Sequence, residues 1–280
     1  MAQDKKQIQA VLAGRSPLHR FGQNFMIDAN MVRTIADAGG LTPADTVIEI
    51  GPGTGTLTQE LLARAGRVIA VEIDRDLAQA LRSTYAQEPR FTLIEGDAMD
   101  GKHSLCDELG VAVRDALARG EPTKLVANLP YNIASPLVVE LLLADVKTLV
   151  FTVQKEVAQR LIAGAGSDAY GGLSVMMQLL SKVEYLRTIG PGVFWPPPDV
   201  DSALVRVTLA NQLGTIDARA FADFVRKLFS FRRKTLGKSL AMMSLDSSRV
   251  PGDFDLKSRV ETISPSDLLR LFGVVVQQER

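Results

Sequence analysis

One cysteine, Cys106, and two histidines, His19 and His103, are all this chain of 280 residues has of those types. That excludes a disulfide scaffold and leaves too few ligands for a structural zinc cluster. It also fits a reducing compartment. There is one tryptophan, and aromatics are only 6% of the chain. Net charge is absent too: 32 Lys and Arg balance 32 Asp and Glu. A global basic field of the kind that grips nucleic acid is therefore excluded. The most apolar stretches, around Pro136–Leu143 and Thr148–Val153, are interrupted by Glu140, Asp145 and Lys147. Neither reaches the ~20 residues of a bilayer span. Met1–Ala10 has no apolar run of the signal-peptide type, so a soluble, cytoplasmic chain is expected.

What is present is ordinary globular composition, 46% hydrophobic and 23% charged, in a chain long enough for its own core. The charge is unevenly spread. Residues Pro191–Arg280 carry net +3 and the preceding part net −3. Arg226, Lys227, Arg232, Arg233, Lys234 and Lys238 lie close together with no acid among them. They form a candidate phosphate-binding patch, against the simpler reading of a solvated helix face.

From Thr46 to Phe151 strand-like and helix-like runs alternate. Strands are expected at Thr46–Ile50, Arg67–Ile73, Phe91–Glu95, Lys124–Ala127 and Lys147–Val153, with helical periodicity between them. Such alternation means βαβ units and a mostly parallel sheet. Val183–Thr188 and Ala203–Leu209 then suggest an antiparallel edge. Beyond Asn211–Gly214 only helices are expected, at Asp217–Phe229, Lys234–Met242 and Ser266–Leu271. The chain thus divides into 1–212, an α/β domain, and 213–280, a small all-helical one.

The first strand runs into Gly51-Pro-Gly-Thr-Gly55. Glycines at a strand-to-helix turn let a ligand approach the backbone. The spacing is not the G-x-G-x-x-G of dinucleotide folds, and Glu49 just before it would repel a pyrophosphate. A ligand with a cationic part suits it better, which disfavours a nicotinamide dehydrogenase. Glu72 ends the second strand, where a carboxylate can accept from a ribose diol. Asp97 follows the third, placed to accept from an adenine amine. Either acid alone could be a cap or turn residue, but successive strand ends line one crevice.

The fourth strand ends in Asn128-Leu129-Pro130-Tyr131. This resembles the N-[LP]-P-Y signature of S-adenosylmethionine-dependent amino-group methyltransferases. The Asn128 amide oxygen and a carbonyl of Leu129 or Pro130 can hold the two hydrogens of an exocyclic amine. The proline fixes their geometry. Tyr131 offers a ring for an extruded base.

Further blocks extend the resemblance over most of the chain: His19–Phe25, Gln154–Arg160, Tyr170–Val175, Phe194–Pro198 and Phe231–Leu236. Together they are similar to the small-subunit ribosomal RNA adenine N6-dimethyltransferases. The resemblance implies a Rossmann-like methyltransferase fold with a small C-terminal helical domain. It implies cofactor contacts at Asn24, Met26, Gly51, Glu72, Asp97 and Asn128, and a base held between Tyr131 and Phe194. It implies two adjacent adenosines, in a hairpin loop near the 3′ end of 16S rRNA, as substrate within an immature small subunit. Three features depart from the family: Met26 where leucine is usual, Asp199 where lysine often follows the prolines, and a long Asp100–Glu121 stretch. An N6-adenine DNA methyltransferase shares the four-residue motif, but would carry a larger recognition domain. A non-catalytic assembly factor on the same fold is the third class.

Overall fold

The computed structural model describes residues 5–12, 15–18 and 22–276. His19 lies outside the described residues. The chain contacts fall into two compact units, Met1–Ala158 with Glu184–Leu209, and Gln159–Val183 with Ala210–Arg280. The second unit thus takes in Gln159–Val183, a segment expected to belong to the α/β domain of 1–212.

Strands β1 (Phe25–Met26), β2 (Thr46–Ile50), β3 (Arg67–Glu72), β4 (Phe91–Glu95) and β5 (Thr123–Asn128) belong to the first unit. So do β6 (Thr148–Gln154), β8 (Phe194–Trp195) and β9 (Ser202–Leu209), while β7 (Ser181–Ile189) enters it from the second. Seven of them form one sheet in the order β4-β3-β2-β5-β6-β9-β7. The β2, β3, β4, β5 and β6 pairings are parallel, and β9 runs antiparallel to β6. Strand β2, Thr-Val-Ile-Glu-Ile, is buried along its whole length, as a central strand covered on both faces must be. The helices are α1 (Lys5–Val11), α2 (Ala29–Ala38), α3 (Thr56–Leu62), α4 (Arg75–Thr84), α5 (Asp107–Ala118) and α6 (Ala134–Leu143). Helix α4 starts at Asp74, whose carboxylate accepts from the amides of Asp76 and Leu77.

Order along the sheet reverses between β2 and β5: the chain adds β3 and β4 on one side, then returns to place β5 and β6 on the other. A crevice opens at the carboxyl ends of the strands on either side of such a reversal.

Helices α1 and α2 and strands β1 and β8 were not expected from the sequence. Helix α1 is mostly polar, yet Ile8 and Leu12, one helical turn apart, are buried against Phe25 and Leu77. The two-residue strands β1 and β8 pair antiparallel, Met26 opposite Phe194 and Phe25 opposite Trp195.

Helix α7 (Lys155–Ile162) leads into the second unit, which holds α8 (Gly172–Leu180), α9 (Ala218–Ser230), α10 (Leu236–Met242) and α11 (Pro265–Val275). Its core includes Phe221 and Phe224 of α9, whose ring centroids lie 5.4 and 5.3 Å from that of Phe272 in α11. Asp217 and Ser264 cap α9 and α11 with side-chain acceptors.

Candidate active site at the switch point of the sheet

A cleft of about 760 Å³, including its open mouth, lies over the carboxyl ends of β2, β3 and β5. Asn24, Met26, Gly51, Glu72, Asn128 and Tyr131 all line it. A smaller hollow adjoins it, lined by Asp97, and the two share Gly51, Ile73 and Pro130. The six expected cofactor contacts are therefore gathered along one continuous edge.

The glycines shape this edge. Gly51 has φ +67°, and a Cβ there would sit 3.1 Å from Pro130 Cγ. At Gly53, φ +61°, a Cβ would meet the Phe25 ring at the same distance. Any side chain at either position would be strained and would press on a wall of the cleft.

Glu72 is only 3% exposed. One carboxylate oxygen accepts from the Gly53 amide at 2.9 Å, the other from the Asp74 amide at 2.9 Å. Burial pushes its pKa up, and these amide bonds pull it back. The Ile73 amide bonds the same carboxylate and adds to that pull. Asp97, by contrast, is exposed, and one of its oxygens accepts from the Met99 amide.

Asn128 is tied on both sides. Its Nδ2 donates to the Asn24 carbonyl at 3.0 Å, and its Oδ1 accepts the Thr152 hydroxyl. The Tyr131 hydroxyl and the Ser202 hydroxyl share a hydrogen bond of 2.7 Å. Asn24 also turns its own Nδ2 to the Gly22 carbonyl at 3.2 Å.

Glu49 is buried in β2 and lines the cleft. Desolvation pushes its pKa up to about 8, against a hydrogen bond from the Thr58 hydroxyl, and the nearby Glu72 charge adds to the rise. Among the described residues the cleft and hollow carry acidic side chains at Glu72 and Asp97, a Glu49 that burial keeps protonated at neutral pH, and no Lys, Arg or His. That wall suits a ligand bearing positive charge and opposes a polyphosphate.

Phe194 is a correction to the expected base sandwich. It is 2% exposed and belongs to the core around Met26 and Val32, lining neither cleft nor hollow. Tyr131 alone of the two lines the cleft. Several lining residues escaped the sequence analysis: Gln23, whose Nε2 donates to Asp74 at 2.9 Å, and Ile73, 39% exposed between the two hollows. A large apolar residue directly after a strand-ending acid was the available signal for Ile73.

The basic residues lie in the second unit. Arg226 is paired with Asp223 in α9. Lys227, Arg232, Arg233, Lys234 and Lys238 are exposed. The expected helix start at Lys234 is corrected to Leu236. Arg232–Lys234 form a turn instead, with the Lys234 amide donating to the Phe231 carbonyl and Thr235 pairing with Arg259.

The sequence matches the ribosomal RNA adenine dimethylase family over residues 16–276. The chain belongs to that family. Among curated relatives, a ribosomal RNA small subunit methyltransferase A of Pelotomaculum thermopropionicum is 42% identical, over 91% of this chain and 90% of the relative. That of Hahella chejuensis is 38% identical over 94% of each. Among solved structures, the 23S rRNA methyltransferase ErmE is similar with a TM-score of 0.57 and 26% identity, over 90% of this chain and 99% of that one. A dimethyladenosine transferase from Plasmodium falciparum shares the fold at a TM-score of 0.63 and 24% identity, over 88% and 95%. Among the described residues of this dimethylase, no helix is long and apolar enough to cross a membrane.

Proposed function

We propose that this dimethylase transfers methyl groups from S-adenosylmethionine to N6 of two adjacent adenosines in a hairpin loop near the 3′ end of 16S rRNA. The observation that carries this is the Asn128 amide, anchored on both sides at the rim of a cleft whose described wall is acidic. The lining fits the cofactor: a groove bounded by the Gly51 and Gly53 turn and by Glu72, with no Lys, Arg or His among its described residues, accepts a cationic nucleoside. When bound, the sulfonium supplies an activated methyl group, so no metal or nucleophilic side chain is required of the protein.

The chain's own residues then position and stabilise. Glu72, held in place by main-chain amides, accepts from the ribose hydroxyls, and Asp97 accepts from the adenine amine through the oxygen that the Met99 amide does not hold. Gly51 leaves room for the ligand beside Pro130. Asn24 and Met26 form the facing wall. Asn128 Oδ1 and a carbonyl of Leu129 or Pro130 accept from the target amine and stabilise positive charge as it grows on the nitrogen. Tyr131 supplies a face for the extruded base, its hydroxyl tethered by Ser202. Arg226, Lys227, Arg232, Arg233, Lys234 and Lys238 would neutralise RNA phosphates. We place this activity in the cytoplasm, on an immature small subunit, with the protein acting as a monomer.

The test is to incubate the protein with labelled S-adenosylmethionine and either DNA, naked RNA or unmethylated small subunits, and to map the label. Two neighbouring N6,N6-dimethyladenosines on the subunit are expected. Label on DNA, or none on any substrate, would reject the reading.

A further inference from the structure

Strand β6 carries one polar side chain in the run Leu149–Val153, namely Thr152. It is fully buried. A hydroxyl in such a place costs stability unless it is bonded, and valine would fill the same volume without that cost. Parallel pairing of β5 and β6 sets Thr152 directly opposite Asn128. Neighbouring strands lie about 4.8 Å apart, within reach of paired side chains on one face. The Thr152 hydroxyl donates to Asn128 Oδ1.

The direction of this bond is forced. The Asn24 carbonyl can only accept, so the Asn128 amide must turn its NH₂ group toward it. Oδ1 then faces Thr152, whose hydroxyl has to donate. Flipping the amide would set Oδ1 against the Asn24 carbonyl oxygen, lone pair against lone pair. Each contact therefore selects the same orientation. Without Thr152, one of the two constraints on the Asn128 side chain is gone.

We propose that Thr152 is a positioning residue for methyl transfer, acting through Asn128 by fixing the rotation of its amide. The proposal rests on the dimethylase reading for its kinetic consequence, but the hydrogen bond itself can be tested without turnover. Loss of a donor to a group that acts in the transition state should lower the maximal rate and leave ground-state binding alone.

The experiment compares the wild-type chain with Thr152→Val, Thr152→Ser, Asn128→Ala and the Asn128→Ala/Thr152→Val double variant. Methyl transfer to unmethylated small subunits is measured, with calorimetric affinity for S-adenosylmethionine. Thr152→Val should cut kcat by about tenfold or more, with KM for the subunit and cofactor affinity within about twofold. Thr152→Ser, which keeps the donor, should stay within about threefold of wild type. In the Asn128→Ala background, Thr152→Val should change the rate by less than about twofold, because their effects run through one contact. An unchanged kcat, an equal loss with serine, or the same loss in both backgrounds would overturn the proposal.

Thermal unfolding of the same proteins closes a second cycle. Shifts from Thr152→Val and Asn128→Ala should be non-additive, and additive shifts would overturn the contact. If valine prevents folding, Thr152→Ala completes the cycle in its place. A wild-type chain that transfers no methyl group would sink the dimethylase reading and leave this thermal cycle to judge the Thr152 contact.

Discussion

The cleft wall and the basic turn both carry charge, but they hold it in opposite ways. At the cleft, Glu72 already accepts from two main-chain amides, and Asn128 is bonded to Asn24 and Thr152. At the turn, Arg232, Arg233 and Lys234 stand exposed, and no ion pair is formed by them among the described residues. The first region is set before a ligand arrives, so little ordering remains to be done on binding. The second leaves long side chains free to meet a phosphate backbone of variable path, with salt-sensitive attraction in place of fixed geometry. Fixed acceptors suit a small molecule and a single reacting nitrogen; free cations suit a polymer.

The sharpest way to break this contrast is at Asn128. Asn128→Ala should lower the single-turnover rate by about 10²–10³, with RNA affinity nearly unchanged. A drop below about fivefold would remove Asn128 from the chemistry. Next is Glu72→Ala, expected to weaken S-adenosylmethionine binding at least about tenfold by calorimetry. It should also lower the melting temperature, because the Gly53 and Asp74 amides lose their acceptor. Unchanged affinity in a folded variant would show that the carboxylate serves the turn alone.

The basic turn should respond to salt rather than to cofactor. Replacing Arg232, Arg233 and Lys234 with alanine should flatten the log–log salt dependence of RNA binding by one to two units, at about 0.7 per phosphate contact on single strands. Cofactor affinity should not change, and an unchanged slope would return these residues to a merely solvated role.

A last effect, read in stability alone, concerns Glu49. The unfolded chain releases this proton near the ordinary carboxylate pKa, while the folded chain keeps it up to about pH 8. The folded state therefore binds more protons between those values, and its stability falls as pH rises through that window. Glu49→Gln should remove this component. The wild-type melting temperature, followed from pH 5 to 9, should decline more steeply than that of the variant. Parallel curves would place the titration elsewhere.

Much of the cleft was legible because its parts sit at strand ends, and strand ends are marked by short-range signals. Glycines follow β2, an acid ends β3 and another follows β4, and a proline motif closes β5. Alternating elements then bring those ends to one edge by rule. What could not be read depends on partners distant in the chain. Thr152 meets Asn128 across 24 residues and Ser202 meets Tyr131 across 71, and nothing local announces either pair. Phe194 was misplaced for a related reason: its role was implied by the resemblance of the Phe194–Pro198 block alone, whereas packing with Met26 and Val32, distant in the chain, buries the ring. Helix α1 escaped notice because two buried residues, Ile8 and Leu12, are too few to show periodicity against a polar background.

The reversal of strand order between β2 and β5 also bears on how the molecule assembles. Strand β2 meets β3 across a short crossover, Thr46 opposite Arg67, but waits for Thr123 to meet β5. Closing so long a loop is entropically slower than forming neighbouring units. The Gly51 turn and the Asn128 motif flank that particular seam. A ligand held across it gains its full contacts only once the seam has closed. If the seam closes after the folding barrier, such a ligand acts as a brake on unfolding, lengthening the lifetime of the native chain while leaving refolding at its own pace.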